Sequence, residues 1–171
     1  MHHSEFVLVL DFGSQYTQLI ARRVRELGVY SEIHPFNIPI DKIRKLKPMG
    51  IVLSGGPSSV YEPGAPKPPP DVFHIGVPVL GICYGLQLIA DQLGGKVDAS
   101  ARREYGKAIL EVDNAEDLLQ GLDGSTTVWM SHGDTVVQVP PGFKRIGRTE
   151  SVDFAAIENA DRQIYAVQFH P

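Results

Sequence analysis

A single cysteine, Cys83, stands between two glycines in the run Gly81-Ile82-Cys83-Tyr84-Gly85. Glycine two residues before and two after a reactive side chain is the pattern of a strand-to-helix elbow, a corner that lifts a nucleophile above a sheet. Cysteine attacks as thiolate, and the unpaired N–H groups at a helix N-terminus favour that form, so a lowered thiol pKa is expected. The competing expectation is a small buried hydrophobe, the ordinary fate of a free cysteine, and the paired glycines argue against it. A thiolate at such a corner needs a base, and it needs donors for the oxyanion formed on attack. Of the six histidines, His2 and His3 sit in a terminal tail and receive no metal role, His34 follows an early strand, and His74 lies in a short helix. His132 and His170 each follow a predicted strand at its C-terminal end, where open parallel sheets gather their functional loops, and both stand as candidate bases. For the oxyanion, the elbow offers the N–H of Tyr84, and the loop Ser54-Gly55-Gly56-Pro57 offers an amide from a neighbouring strand. The residues point to cysteine acyl transfer and do not separate an amidase from an esterase or a peptidase.

The elements that must carry these groups alternate through the first half of the chain. Residues 6–10 form a short continuous apolar run, the mark of a strand covered on both faces. From residue 15 to 27 the apolar positions Ile20, Val24 and Leu27 recur at helical spacing, and Gly28 stops the helix. Strands are expected at 29–34, 50–53 and 77–82, and helices at 40–46 and 86–93, the last with Leu86, Ile89, Ala90 and Leu93 as its buried stripe. Residues 57–71 hold six prolines and predict an extended surface loop leading to a short helix near 72–75. After Lys96 the pattern turns to strands, at 108–112, 127–130, 135–139, 144–149, 154–158 and 163–169, with one short helix near 115–119. Antiparallel strands need only turns between them, so the second half adds antiparallel pieces to a parallel sheet. The fold class is α/β in three layers, with a mostly parallel central sheet and antiparallel additions, in one domain.

Length allows a core that folds unaided. One cysteine excludes an internal disulfide framework and fits a reducing cytoplasm. No window approaches the roughly eighteen apolar residues of a membrane span, and no signal segment opens the chain. A net charge of −4 offers no general attraction to nucleic acid, and Arg22, Arg23 and Arg25 are interrupted by Glu26.

Taken together, the elbow continued through Leu86-Gln87, the loop Ser54-Gly55-Gly56-Pro57 and the terminal Gln168-Phe169-His170-Pro171 resemble the class I glutamine amidotransferases. The octet Asp11-Phe12-Gly13-Ser14-Gln15-Tyr16-Thr17-Gln18 and the run Trp129-Met130-Ser131-His132-Gly133-Asp134 resemble the GMP synthase branch of that family. The resemblance spans essentially the whole chain and implies a flavodoxin-like core. It implies that Cys83 attacks the carboxamide of L-glutamine, that the Gly56 and Tyr84 amides hold the oxyanion, and that His170 is the base. It also implies that Gly55, Gln87, Ser131, His132, Gly133 and Asp134 line the glutamine pocket, with no metal and no cofactor in this domain. Released ammonia would serve purine nucleotide synthesis on a separate ATP-pyrophosphatase domain or subunit, where ATP and Mg are used to aminate xanthosine monophosphate. That domain and a dimerisation domain are expected to lie outside the chain. The family places a glutamate after the His-Pro pair and the sequence stops at Pro171, so a C-terminally truncated domain with weak or no glutaminase activity is expected. Alternatives are the glutaminase component of another class I amidotransferase and a non-catalytic glutamine-binding module. A nucleotide-binding Rossmann domain is disfavoured, because Gly13 lacks the following glycine spacing.

Overall fold

The computed structural model describes residues 5–122 and 124–171. Among the described residues, nine strands form one sheet in the order β2-β1-β3-β4-β9-β8-β7-β5-β6. Its first half is parallel and comprises β1 (Phe6–Asp11), β2 (Tyr30–Pro35), β3 (Gly50–Leu53), β4 (Val79–Ile82) and β9 (Ile164–Val167). Its second half is antiparallel and comprises β5 (Lys96–Val112), β6 (Ser125–Gln138), β7 (Lys144–Arg148) and β8 (Ala156–Asn159).

The continuous apolar runs become strands because both faces are covered. Leu8 and Leu10 of β1 pack with Ile43 of α2 (Ile40–Leu46) and with Leu86 and Ile89 of α3 (Tyr84–Gln92). Val9 points the other way and packs with Ala21 of α1 (Thr17–Glu26), Val52 and Ile82. Helices on opposite faces of the sheet give the three layers. The chain runs outward from β1 to β2 and then returns to the other side of β1 for β3, so a topological switch point lies between β1 and β3. Ligands in open α/β sheets gather at the carboxyl ends of the strands near such a point.

Several expectations shift. Helix α1 starts at Thr17 rather than at residue 15, because Ser14 holds a turn there, its Oγ accepting the Tyr16 N–H at 2.9 Å. The segment 115–119 is a bend and turn, not a helix. Five residues cannot repay helix nucleation, and Asn114 Oδ1 diverts the Glu116 N–H into a local bond of 2.8 Å. The short strand expected at 108–112 is the end of a seventeen-residue β5, and the strands expected at 127–130 and 135–139 are one strand, β6. Residues 131–134, expected as a loop, therefore lie inside β6, where Ser131, His132 and Asp134 pair with β5 across a register shift. The proline-rich segment does end in a 3-10 turn, Pro70–Phe73. His2 and His3 lie outside the described residues. Among the described residues no helix is long and apolar enough to cross a membrane.

Candidate active site

Four loops meet at the carboxyl ends of the parallel strands: residues 12–16 after β1, 54–57 after β3, Cys83 after β4 and 168–170 after β9. Cys83 is the N-cap of α3, with φ 54° and ψ −106°. That conformation is costly for a residue with a Cβ and persists only where its surroundings enforce it. Both flanking glycines belong to the enforcement. A Cβ on Gly81 would lie 2.6 Å from the Gly85 backbone and 2.7 Å from Ile89 Cδ1, and one on Gly85 would strike the Leu53 carbonyl oxygen. Strand β4, helix α3 and strand β3 therefore approach closely enough to fix the elbow only if positions 81 and 85 carry no side chain.

Cys83 Sγ lies 3.3 Å from His170 Nε2 and 2.9 Å from the carbonyl oxygen of Gln168, which accepts its proton. His170 is held from two sides. Its N–H donates to the Trp129 carbonyl at 3.0 Å, joining the chain after β9 to β6, and its ring packs against Tyr16 with centroids 4.5 Å apart. The structure thus brings His170, and not His132, to the sulfur. His132 is buried inside β6 with Nδ1 2.8 Å from the Asp134 carbonyl oxygen. His34 pairs with Glu32 on β2, and His74 with Arg162.

The expected depression of the thiol pKa is corrected by the site. Burial pushes the Cys83 thiol up to about 12, and burial pulls the His170 imidazole below its ordinary value. A helix N-terminus contributes about 0.3–1 kcal/mol, less than one pKa unit, whereas burial can move a group by about 3–5 units. The Gln168 carbonyl adds to the imbalance, since it accepts a bond only from the thiol. Both shifts favour a resting pair of thiol and neutral imidazole.

On one side of Cys83 opens a cleft of about 530 Å³, lined by Gly56, Ser59, Tyr61, Glu62, Tyr84, Gln87, Ser131, His132, Gly133 and Asp134 among others. Its far wall is a built carboxylate site. Asp134 Oδ2 accepts the Ser59 hydroxyl at 2.5 Å and Oδ1 accepts the Tyr61 hydroxyl at 2.6 Å, and the nearby carboxylate holds the Tyr61 phenol above its usual pKa. Gln87 is buried in the first turn of α3, and its Nε2 donates to the Asp134 carbonyl at 3.4 Å. The Tyr84 N–H belongs to the first turn of α3, where a helix leaves its amides unpaired, while the Tyr84 hydroxyl donates to the Pro66 carbonyl at 2.7 Å and ties the proline-rich loop down. Gly56 backs against Phe12, whose carbonyl oxygen would strike any added Cβ.

Gly55 is the exception among the expected pocket residues. It lines a second, smaller cleft with Ser14, Gln15, Tyr16 and His170, and lies against Cys83 there. Sequence reasoning missed Ser59 and Tyr61, which the prolines around them made look like plain loop. It also missed Tyr16 beside His170 and the Gln168 carbonyl. Tyr16 belongs to the octet singled out above, which was a signal of place without a role.

The family model described as glutamine amidotransferase class-I matches residues 8–171. A GMP synthase [glutamine-hydrolyzing] from Natranaerobius thermophilus is 58% identical over 166 residues, covering 97% of this chain and 32% of that protein. One from Brachyspira hyodysenteriae is 56% identical over 165 residues, covering 96% of this chain and 32% of the relative. The chain therefore spans about a third of the length of these curated relatives. A crystal structure of a Thermoplasma acidophilum protein, described as a candidate GMP synthase subunit, superposes with TM-score 0.85 at 32% identity over 100% of this chain and 86% of that one. The elbow, the sheet order and the match over nearly the full length agree, and the chain belongs to the class-I glutamine amidotransferase family.

Proposed function

We propose that this chain is the glutamine-hydrolysing domain of a GMP synthase, releasing ammonia for the amination of xanthosine monophosphate on an ATP- and Mg-using partner domain. The observation that carries the reading is the 3.3 Å approach of Cys83 Sγ and His170 Nε2 on a strained elbow beside a cleft that ends in a carboxylate. The relatives at 56–58% identity support this branch over another amidotransferase.

Glutamine lies in the larger cleft with its α-ammonium toward Asp134 and its carboxamide at Cys83. The Cys83 proton passes to His170 Nε2, and Sγ attacks the carboxamide carbon. The N–H groups of Gly56 and Tyr84 hold the oxyanion where charge develops. His170 returns the proton to the departing nitrogen, the C–N bond breaks, and ammonia and a glutamyl thioester result. Water deprotonated by His170 then cleaves the thioester, giving glutamate and the free thiol. The neutral resting pair implies low activity for the isolated domain, with activation by substrate or by the partner domain. A free thiol nucleophile without disulfides suits a reducing cytoplasm.

A glutamine-analogue electrophile tests the reading. One adduct is expected, on Cys83, protected by glutamine and absent from Cys83→Ala. A protein that takes no adduct, or takes one that glutamine fails to block, would be a binding module instead.

A further inference from the structure

The reaction proposed above gives no work to the octet 11–18, yet a buried pair of hydroxyls joins that octet to the loop that carries the oxyanion donor. Thr17 opens α1 and is 3% exposed, and Ser54 follows β3 and is 0% exposed. Their hydroxyl oxygens lie 3.1 Å apart. Thr17 Oγ1 is also 3.2 Å from Asp11 Oδ1 and 3.1 Å from the Ser14 carbonyl oxygen. Ser54 Oγ accepts the Phe12 N–H at 3.3 Å and lies 3.2 Å from the Gly55 carbonyl oxygen. The Asp11 carboxylate, which accepts the Gly13 N–H at 2.8 Å, anchors the outer end of the chain of bonds. At this depth solvent does not stand in for a lost partner.

Neither hydroxyl needs the other merely to be satisfied. A threonine in the first turn of a helix can bond the carbonyl three residues back, and Ser14 offers that carbonyl. Ser54 has the Phe12 N–H and the Gly55 carbonyl. A hydroxyl brings one proton and two lone pairs, so the contact between the two is additional, and what it adds is register between loops 37 residues apart in the chain. Both loops reach the reacting groups within a step or two. Tyr16, just before Thr17, packs its ring on His170 with centroids 4.5 Å apart. Gly55, just after Ser54, lies against Cys83, where an added Cβ would stand 3.4 Å from the Cys83 Cβ. Gly56 follows and backs against the Phe12 carbonyl, so Ser54 and Gly56 both grip Phe12 of the octet.

We propose that Thr17 and Ser54 are positioning residues, whose hydroxyl contact holds Tyr16 against His170 and the Gly55-Gly56 backbone against Cys83 as one unit. The inference rests on the function proposed above. Without the contact the two loops move separately, and the base and the oxyanion donor lose their common alignment. A misplacement of about 1 Å costs up to about 10²-fold in rate, and oxyanion donors act only when aimed at the position the charged oxygen takes. The larger cleft, where glutamine lies, is lined by neither Thr17 nor Ser54, so affinity is left alone.

The test uses the full-length protein that includes the ATP-using domain, with ATP and xanthosine monophosphate present, and follows glutamate release with kcat and KM resolved. Thr17→Val keeps the shape and removes the hydroxyl. Its kcat is expected to fall about ten- to hundredfold, with the KM for glutamine within about twofold of the unmodified protein. Thr17→Ser restores the hydroxyl and should bring kcat back to within about threefold. Ser54→Ala should lose as much as Thr17→Val, and the double variant no more than the slower single one, since a shared contact is lost only once. Ser54→Ala adds no bulk, so its kcat decides if Thr17→Val does not fold. An unchanged kcat in either folded variant would overturn the proposal, as would losses that multiply in the double variant or a KM that rises as steeply as kcat falls. A Thr17→Ser protein as slow as Thr17→Val would overturn it too, because the hydroxyl would not be the acting group. Absence of glutamate release from the unmodified protein would instead overturn the function proposed above, and the positioning role with it.

Discussion

The parallel and antiparallel halves of the sheet do different work at one site. In the reaction proposed above, the parallel half supplies the reacting groups, Cys83 after β4 and His170 after β9, and the donor loop at Gly56 after β3. The antiparallel half supplies one wall of the larger cleft, Ser131, His132, Gly133 and Asp134 along β6, to which the proposal gives recognition of glutamine. The β8–β9 ladder joins the halves, and beside the site a further backbone hydrogen bond, His170 N–H to the Trp129 carbonyl, ties the chain after β9 to β6. Through that bond the recognising strand also seats the base. Rate and affinity should therefore separate along the same line. Substitutions in the parallel half should act on kcat, and those along β6 and its supports on KM, except where they disturb Trp129.

The largest test of this division is the loss of the nucleophile. Cys83→Ser should lower kcat by about 10⁴-fold or more, the scale seen when a member of a catalytic set is removed, and leave glutamine binding by calorimetry within about threefold. A comparable loss of binding would merge the two halves. Next comes alkylation of Cys83 by iodoacetamide. With the thiol near 12, the rate should climb about tenfold per pH unit from 7 to 10, roughly a thousandfold in all, since the thiolate is the reacting form. A plateau below pH 9 would reveal a preformed thiolate–imidazolium pair. The sign for stability follows. Between an unfolded thiol value of about 8.5 and the folded value, the native protein keeps a proton the unfolded chain has lost, so stability falls as pH rises through that window. Gly85→Ala ranks third. Its methyl would strike the Leu53 carbonyl, and overpacking of this kind costs about 1–3 kcal/mol, read as a lowered Tm with kcat falling more than KM rises.

The parallel half was legible because each of its signals is local. Continuous apolar runs mark β1, β3 and β4, and α2 and β3 fall on their expected residues, 40–46 and 50–53. The elbow needs only five residues to declare itself. The antiparallel half hides because a long strand with one buried face alternates, and Gly133 inside β6 looks like a turn when read alone. Pairing of Ser131, His132 and Asp134 with β5 keeps this stretch in the strand, and no local pattern announces a partner some thirty residues away. The thiol was misjudged for a related reason. A helix N-terminus is visible in a sequence, but the depth at which it lies is not.

The smallest predictions fall on the recognising wall. Asp134→Asn keeps the shape and removes the charge that both hydroxyls address and that the proposed pose gives to the substrate's ammonium. Hydrogen bonds to charged groups are worth about 1.5–3 kcal/mol, so the KM for glutamine should rise about ten- to hundredfold with kcat nearly unchanged. Tyr61→Phe removes one of the two hydroxyl donors to that carboxylate, at 2.6 Å, and leaves Ser59 at 2.5 Å on the other oxygen. Tyr61 is largely exposed, so water can replace its hydroxyl, and the KM should rise only about threefold, within the lower part of the range for one hydrogen bond. An equal loss from Tyr61→Phe and Asp134→Asn would mean that the hydroxyl itself touches glutamine, and recognition would then belong to the loop after β3 as much as to β6. A fall in kcat from either substitution would mean that the strand carrying the wall also controls the base, through the Trp129 carbonyl that holds His170.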